Sequence, residues 1–168
     1  MKRTALRRGS GPKRKTAIRK VARRRIGLSA EERAELKELH RTVVMLRHGA
    51  FRFENPSKKD GTPRNPSWRG MCSWCGRDSW LQTCHIFAVG HYPNSRYDPD
   101  NAWAGCSYCH LFRWHKDPEL AQTWILRLMG EENYEFLRLR VKTASKPDWG
   151  LYRIFLIQER DKLLGRSA

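Results

Sequence analysis

A chain of 168 residues has room for one modest domain with appendages, so a large enzyme core is excluded and any working site must be compact. Lysine and arginine outnumber acidic residues by 34 to 17, and a net charge of +17 points to a polyanionic partner, nucleic acid before an anionic membrane surface. No apolar run approaches the roughly 18 residues of a membrane span, and the N-terminus lacks the apolar core of a signal peptide, so a soluble cytoplasmic protein is expected.

Residues 1–25 hold twelve Lys/Arg and no acid in a low-complexity run. Self-repulsion and scarce apolar surface predict a disordered basic arm, with Arg14, Lys15, Arg23, Arg24 and Arg25 as candidate DNA contacts. Residues 26–70 form the next segment. Ser29-Ala30-Glu31-Glu32 is a capping box, with Ser29 as N-cap and Glu32 three residues on. It opens a helix with Leu36, Leu39, Val43 and Leu46 at helical spacing and Gly49 as its stop. From residue 50 to 70, Pro56, Gly61, Pro63 and Pro66 beside Lys58-Lys59 predict a surface loop.

Two Cys-x2-Cys pairs follow, Cys72/Cys75 and Cys106/Cys109. In a reducing compartment such pairs are metal ligands before they are disulfides, and four thiolates make a closed tetrahedral zinc site. A closed site has no open coordination position, so this zinc is structural and chemistry needs other groups. Between the pairs, Trp80 to His85 is strand-like, Ala102 to Cys106 is its short partner, and a turn-rich loop from about Ile86 to Asp100 joins them. A helix from Ser107 then carries His110 in its early turns. This order is a ββα unit, over residues 71–116.

The remainder, 117–168, is helical. Asp117-Pro118 opens a helix with an apolar stripe of Leu120, Trp124, Ile125 and Leu128, closed by Gly130. A second helix runs through Tyr134, Leu137 and Val141. A third starts at Lys146-Pro147-Asp148, with Leu151, Ile154, Phe155 and Leu163 inward and Gly165 at its close. No internal repeat is present. The fold class expected is α+β: a zinc-stabilised ββα core flanked by N- and C-terminal helices, with the basic arm in front.

Thr83-Cys84-His85-Ile86, then Arg96-Tyr97-Asp98-Pro99-Asp100-Asn101-Ala102, then Cys106-x2-Cys109-His110, resembles the HNH (ββα-metal) endonucleases. It is closest to the phage-type branch with a built-in four-cysteine zinc, which includes NinG/Rap-like recombination nucleases and junction-resolving enzymes. The resemblance spans about residues 72–120. It implies metal-dependent hydrolysis of DNA phosphodiesters to 5′-phosphate and 3′-hydroxyl ends, on branched or recombination-intermediate DNA in a bacterial host cell. His85 matches the general base, Asn101 the residue that pins the loop and aims the base, and His110 the ligand of a catalytic divalent ion, Mg²⁺ or Mn²⁺. A homodimer follows for junction work by analogy alone.

One position departs from the family pattern. Asp or His usually precedes the base as a second ligand, and here that residue is Cys84, either a soft ligand that favours a softer ion or a small core residue. His115 lies about 140° from His110 on an ideal helix, so shared ligation requires a helix that ends or bends. His91 either lines the site or faces water. Arg96 is a phosphate contact or a brace to Asp98 or Asp100. Most tryptophans are core, and one of them is open to stack on an unpaired base at a DNA branch. The rival reading is a non-catalytic zinc-knuckle nucleic-acid-binding protein, and behind it a ribosome-associated basic zinc protein. Neither needs His, Asn and His in this order.

Overall fold

A computed structural model describes residues 28–62, 64–143 and 147–166. The basic arm, with Arg14, Lys15, Arg23, Arg24 and Arg25, lies outside the described residues, as do Pro63 and Lys146. The rest is α+β: four helices around one four-stranded antiparallel sheet of order β1-β2-β3-β4.

Helix α1 is Ala30–Arg47 and begins at the capping box. Ser29 Oγ accepts from the Glu32 amide at 3.1 Å, and Glu32 accepts from the Ser29 amide at 2.6 Å, which satisfies two otherwise orphaned donors. Gly49 turns the chain with φ +66°, a conformation costly for any residue with a Cβ. From Thr42 to Met45 every residue is buried, because α1 runs between the sheet and the C-terminal helix Trp149–Leu163.

Where a continuous surface loop was expected, the chain forms a hairpin: β1, Phe51–Phe53, pairs with β2, Ser67–Met71, in the register Phe51 to Arg69 and Phe53 to Ser67. The proline and glycine breakers fall between these strands and leave their ends free to pair. Trp68, 1 % exposed, anchors the hairpin in the core. Strand β3, Asp78–His85, pairs Arg69 with Trp80 on one side and Leu81 with Cys106 of β4, Ala102–Cys106, on the other. The expected strand pair and intervening loop are therefore present, the loop carrying 3₁₀ turns at Pro93–Ser95 and Pro99–Asn101.

After β4 the chain does not continue as a long α-helix. It makes a π-helical turn over Cys109–Trp114, followed by Asp117, which caps α2, Pro118–Met129, by accepting from the Leu120 amide at 2.9 Å. Helix α2 points Ala121 and Ile125 inward with half-buried Trp124; Leu120 and Leu128, expected in the stripe, are exposed. Helix α3 is Glu131–Thr143 with Leu137 and Val141 buried. Helix α4, Trp149–Leu163, is capped by Asp148 and closed at Gly165. Its expected inward set is corrected: Leu151, Ile154, Phe155 and Leu163 are exposed, and Leu156 is the residue buried against Leu36, Leu39 and Val43. Apolar side chains surround this helix, so spacing alone does not choose the face.

The sheet is covered unevenly. Beneath α1 lie Trp68, Leu81 and Ala104. On the opposite face, over β4, Trp103 packs against Trp74, Trp114 and Trp124, with Trp74 and Trp124 stacked at 4.6 Å. Gly105 makes that packing feasible, since a Cβ there would overlap the Trp103 ring. Gly105→Ala should therefore lower stability by roughly 1–3 kcal/mol, as overpacking of a filled core does. Gly90→Ala, in open space, should leave the urea midpoint unchanged; equal midpoints for both variants would refute the packing account.

Candidate functional site

Cys72 and Cys75 sit on the turn between β2 and β3; Cys106 ends β4 and Cys109 starts the π turn. Their four sulfurs lie within 4.8 Å of one another. Sulfurs at ~2.3 Å from a tetrahedral zinc are about 3.8 Å apart, and Cys75 Sγ is 4.0 Å from Cys106 Sγ, so the cluster is compatible with a structural zinc. Backbone amides point at the sulfurs, Cys106 N donating to Cys72 Sγ at 3.3 Å and Cys109 N to Cys106 Sγ at 3.4 Å. Burial opposes ionisation of Cys72, yet the amides of Cys106, Cys75 and Trp74 bring it down to about 7. Burial pushes Cys106 up against the opposing bonds from Cys109, and burial with the Cys75 and Cys106 thiols pushes Cys109 up. A divalent cation among them would offset the burial that holds these thiols protonated.

Cys84 is not part of that cluster. It is fully buried with Trp68, Leu81 and Trp103, its Sγ 3.4 Å from the Gln82 carbonyl, and burial pushes its thiol far up. This is the geometry of a small core residue.

Asn101 is fully buried and holds the loop from inside. Its Nδ2 donates to Phe87 O at 3.0 Å and Ser95 Oγ at 2.9 Å, while its Oδ1 accepts from the Phe87 amide at 2.7 Å. The loop also has an ionic strap. Asp98 accepts from Arg140 at 2.8 Å, and Asp100 lies between Arg140 at 2.9 Å and Arg47 at 2.8 Å. Burial raises the Asp98 carboxyl, whereas the Arg140 and Arg47 bonds outweigh burial at Asp100 and lower it. These arginines occupy both carboxylates, so Arg96 is not the brace; its exposed side chain lines a cleft.

That cleft, about 360 Å³, is bounded by His85, Gln82, Thr83, Arg96, Lys37 and Arg41. His85 Nε2 lies 3.2 Å from the Arg96 carbonyl. A carbonyl only accepts, so Nε2 carries the proton and Nδ1 keeps a free lone pair. Burial lowers the His85 pKa from its ordinary value; the bond to the Arg96 carbonyl opposes the shift, and the Arg96 charge adds to it. His85 is therefore neutral at neutral pH.

His110, on the π turn, places Nδ1 3.2 Å from Gln82 Oε1 and Nε2 3.1 Å from His115 Nε2. A five-residue offset that separates two side chains on an α-helix brings them together on a π turn, whose hydrogen bonds run i to i+5. Burial, then the charges of His115 and His85, lower the His110 pKa, which puts all three imidazoles in one electrostatic neighbourhood. His91 is exposed in the loop, away from the cleft lining.

Sequence reasoning passed over His40. It is buried in α1, its ring stacked on His85 at 5.5 Å and 8°, its Nε2 donating to the Asp98 carbonyl at 3.2 Å. The available signal was a histidine one turn after Leu36 on the apolar face of α1. A larger groove, about 500 Å³, between Trp103, Phe136 and Arg140 contains none of His40, His85, His110 or His115.

No protein family, curated protein or solved structure matches this chain. Among the described residues, no helix is long and apolar enough to cross a membrane.

Two outcomes follow from the geometry. Purified protein should contain one zinc per chain, and Cys106→Ser should lose both the metal and the cooperative unfolding transition; wild-type protein without zinc by elemental analysis contradicts this. Burial first, then the charge of His85, holds His40 down to about 4. The unfolded chain, with an ordinary value near 6.5, therefore binds the extra proton, so His40 costs nothing above pH 6.5 and progressively destabilises the fold between about 6.5 and 4. The full effect is about 3 kcal/mol. His40→Phe should flatten that part of the stability profile by comparison with wild type, and parallel profiles would show that His40 is not buried in the neutral form.

Proposed function

We propose that the chain is a metal-dependent HNH-type endonuclease that hydrolyses DNA phosphodiesters. The observation that carries the reading is an oriented neutral imidazole, His85, in a cleft edged by Lys37, Arg41 and Arg96, with the His110–His115 pair near enough that the charge of His85 acts on His110. A bare zinc-knuckle binder has no use for an imidazole with its tautomer fixed.

The residues divide the work. A phosphate enters against Arg96, Lys37 and Arg41. His85 Nδ1 takes a proton from water as that water's oxygen bonds to phosphorus, and the bond from phosphorus to the 3′-oxygen breaks. The Arg96 carbonyl holds the protonated nitrogen, and Asn101 fixes the loop that presents that carbonyl. His40 backs the ring and stays uncharged, so it does not repel the imidazolium as it forms.

His110 and His115 are the residues that would hold the divalent ion. Two imidazole nitrogens ~2.1 Å from one metal lie about 3.0–3.4 Å apart, and 3.1 Å is the separation found. When bound, such an ion stabilises charge on the phosphate and leaving oxygen. Imidazole donors suit nickel, cobalt or zinc better than magnesium or manganese.

Linear, supercoiled and four-way-junction DNA incubated with each metal tests the reading. His85→Ala should keep its structural zinc and its DNA affinity while cleavage falls by roughly 10²- to 10⁴-fold, the usual share of a positioned base. His110→Ala and His115→Ala should each regain activity at high metal. Because the His85 pKa is lowered, cleavage should be lost as pH falls through a value below 6.5. A wild-type protein that cuts none of these DNAs with any metal, or His85→Ala cutting as fast as wild type, leaves the non-catalytic binder as the function.

A further inference from the structure

The chain has seven tryptophans, and the fold uses six of them. Trp68 and Trp103 are 1 % exposed; Trp74, Trp114 and Trp124 pack on one another; Trp149 meets Tyr97 edge-on at 5.2 Å. Trp80 is 54 % exposed, in the middle of the sheet face left bare by the π turn and α2. Registry builds a cross-strand row there, Phe51 beside Arg69 and Arg69 beside Trp80. Phe53 meets Trp80 edge-on at 5.5 Å, and the Arg69 guanidinium lies 5.9 Å from the Trp80 ring. Phe51 and Met71 on this face are 72 % and 57 % exposed.

We infer that this face, Phe51, Phe53, Arg69, Met71 and Trp80, is a stacking platform for unpaired bases of a nucleic acid. Aromatic rings on an open sheet face offer π surfaces that any base can cover, whereas a duplex hides its bases and presents only phosphates. The charge around the platform selects the same partner. Residues 51–80 hold six Lys/Arg against three acids, and Lys58, Lys59, Arg64 and Arg77 make no ion pair among the described residues. A protein partner docking by apolar contact has no need of that excess.

The platform is continuous with the proposed cleft. Trp80 and Gln82 are two residues apart on β3, hence on one face and about 7 Å apart along the strand, and Gln82 bonds His110. A strand whose base covers Trp80 therefore runs to the histidine pair. The inference rests on the nucleic-acid partner of the proposed function and makes its substrate one with unpaired nucleotides beside the scissile phosphate.

The test reads binding, without added divalent metal, by anisotropy of labelled probes on the full chain: a single-stranded oligonucleotide, the same length of abasic backbone, and a blunt duplex. Trp80→Ala should weaken binding of the single strand by roughly 5- to 100-fold, the effect of losing one base stack. It should leave duplex and abasic affinity unchanged, and Trp80→Phe should restore most of the loss. Unchanged zinc content in both variants shows that the fold is retained. Equal loss on all three probes, or no loss on the single strand, overturns the platform. So does a concentration-dependent dimer that Trp80→Ala dissociates, because the face is then taken by a second copy. A wild-type chain that cuts no DNA, yet shows the base-dependent loss at Trp80, removes the nuclease reading and keeps the platform.

Discussion

Four thiols drawn within one ion's coordination radius hold the two knuckles of this chain against each other. They join the turn leaving β2 to the end of β4 and the start of the π turn, segments separated by about thirty residues of chain. A metal held there would add free energy of folding to that of a small apolar core. The tryptophans complete the arrangement. Trp74 lies inside the first knuckle and Trp114 at the end of the π turn, and both pack on Trp103 next to the thiols. The knuckles thus fix both ends of one aromatic cluster.

Because Cys109 begins the π turn, the cluster also sets where His110 starts. The wider turn then closes the gap to His115, and Gln82 from β3 holds the other nitrogen of His110. Within the cleft, His85 depends on two backbone carbonyls of the loop, directly through Arg96 and indirectly through the Asp98 carbonyl that orients His40. Asn101 and the Arg140–Asp98 and Arg47–Asp100 pairs keep that loop in one shape. The exposed Asp100 pairs contribute little energy each, but they tie α1 and α3 to the loop, and that makes helices remote from the cysteine cluster part of the candidate site.

The two faces of the sheet serve different ends. One is sealed by α1, whose uncharged His40 continues the apolar surface up to the cleft. The other is sealed only over β4, and its bare part carries aromatic rings without an internal partner for their open faces. Exposed Leu151, Ile154 and Phe155 on α4 are a separate apolar surface, on the far side of α1 from the sheet.

Local chemistry was enough to place much of this in the sequence. Ser29 with Glu32, Asp117 with Pro118, and Asp148 each announce a helix start through hydrogen bonds made within one turn, and the Cys-x2-Cys spacing announces the knuckles. Those signals need no tertiary context. The hairpin of β1 and β2 was hidden because a three-residue edge strand has no periodicity and its stability comes from pairing across a proline-rich gap. The buried face of α4 was hidden because apolar residues surround that helix, so only packing against Leu36 and Val43 decides it. Cys84 was ambiguous for a related reason: a thiol suits a metal or a core equally, and burial beside Trp103 separates them. His40, the His110–His115 approach and the exposure of Trp80 were settled by tertiary structure alone. Each depends on where a second element lies, the sheet under α1, the one-residue widening of a turn, or a helix that stops short of β2, and residue spacing along a chain carries no record of that.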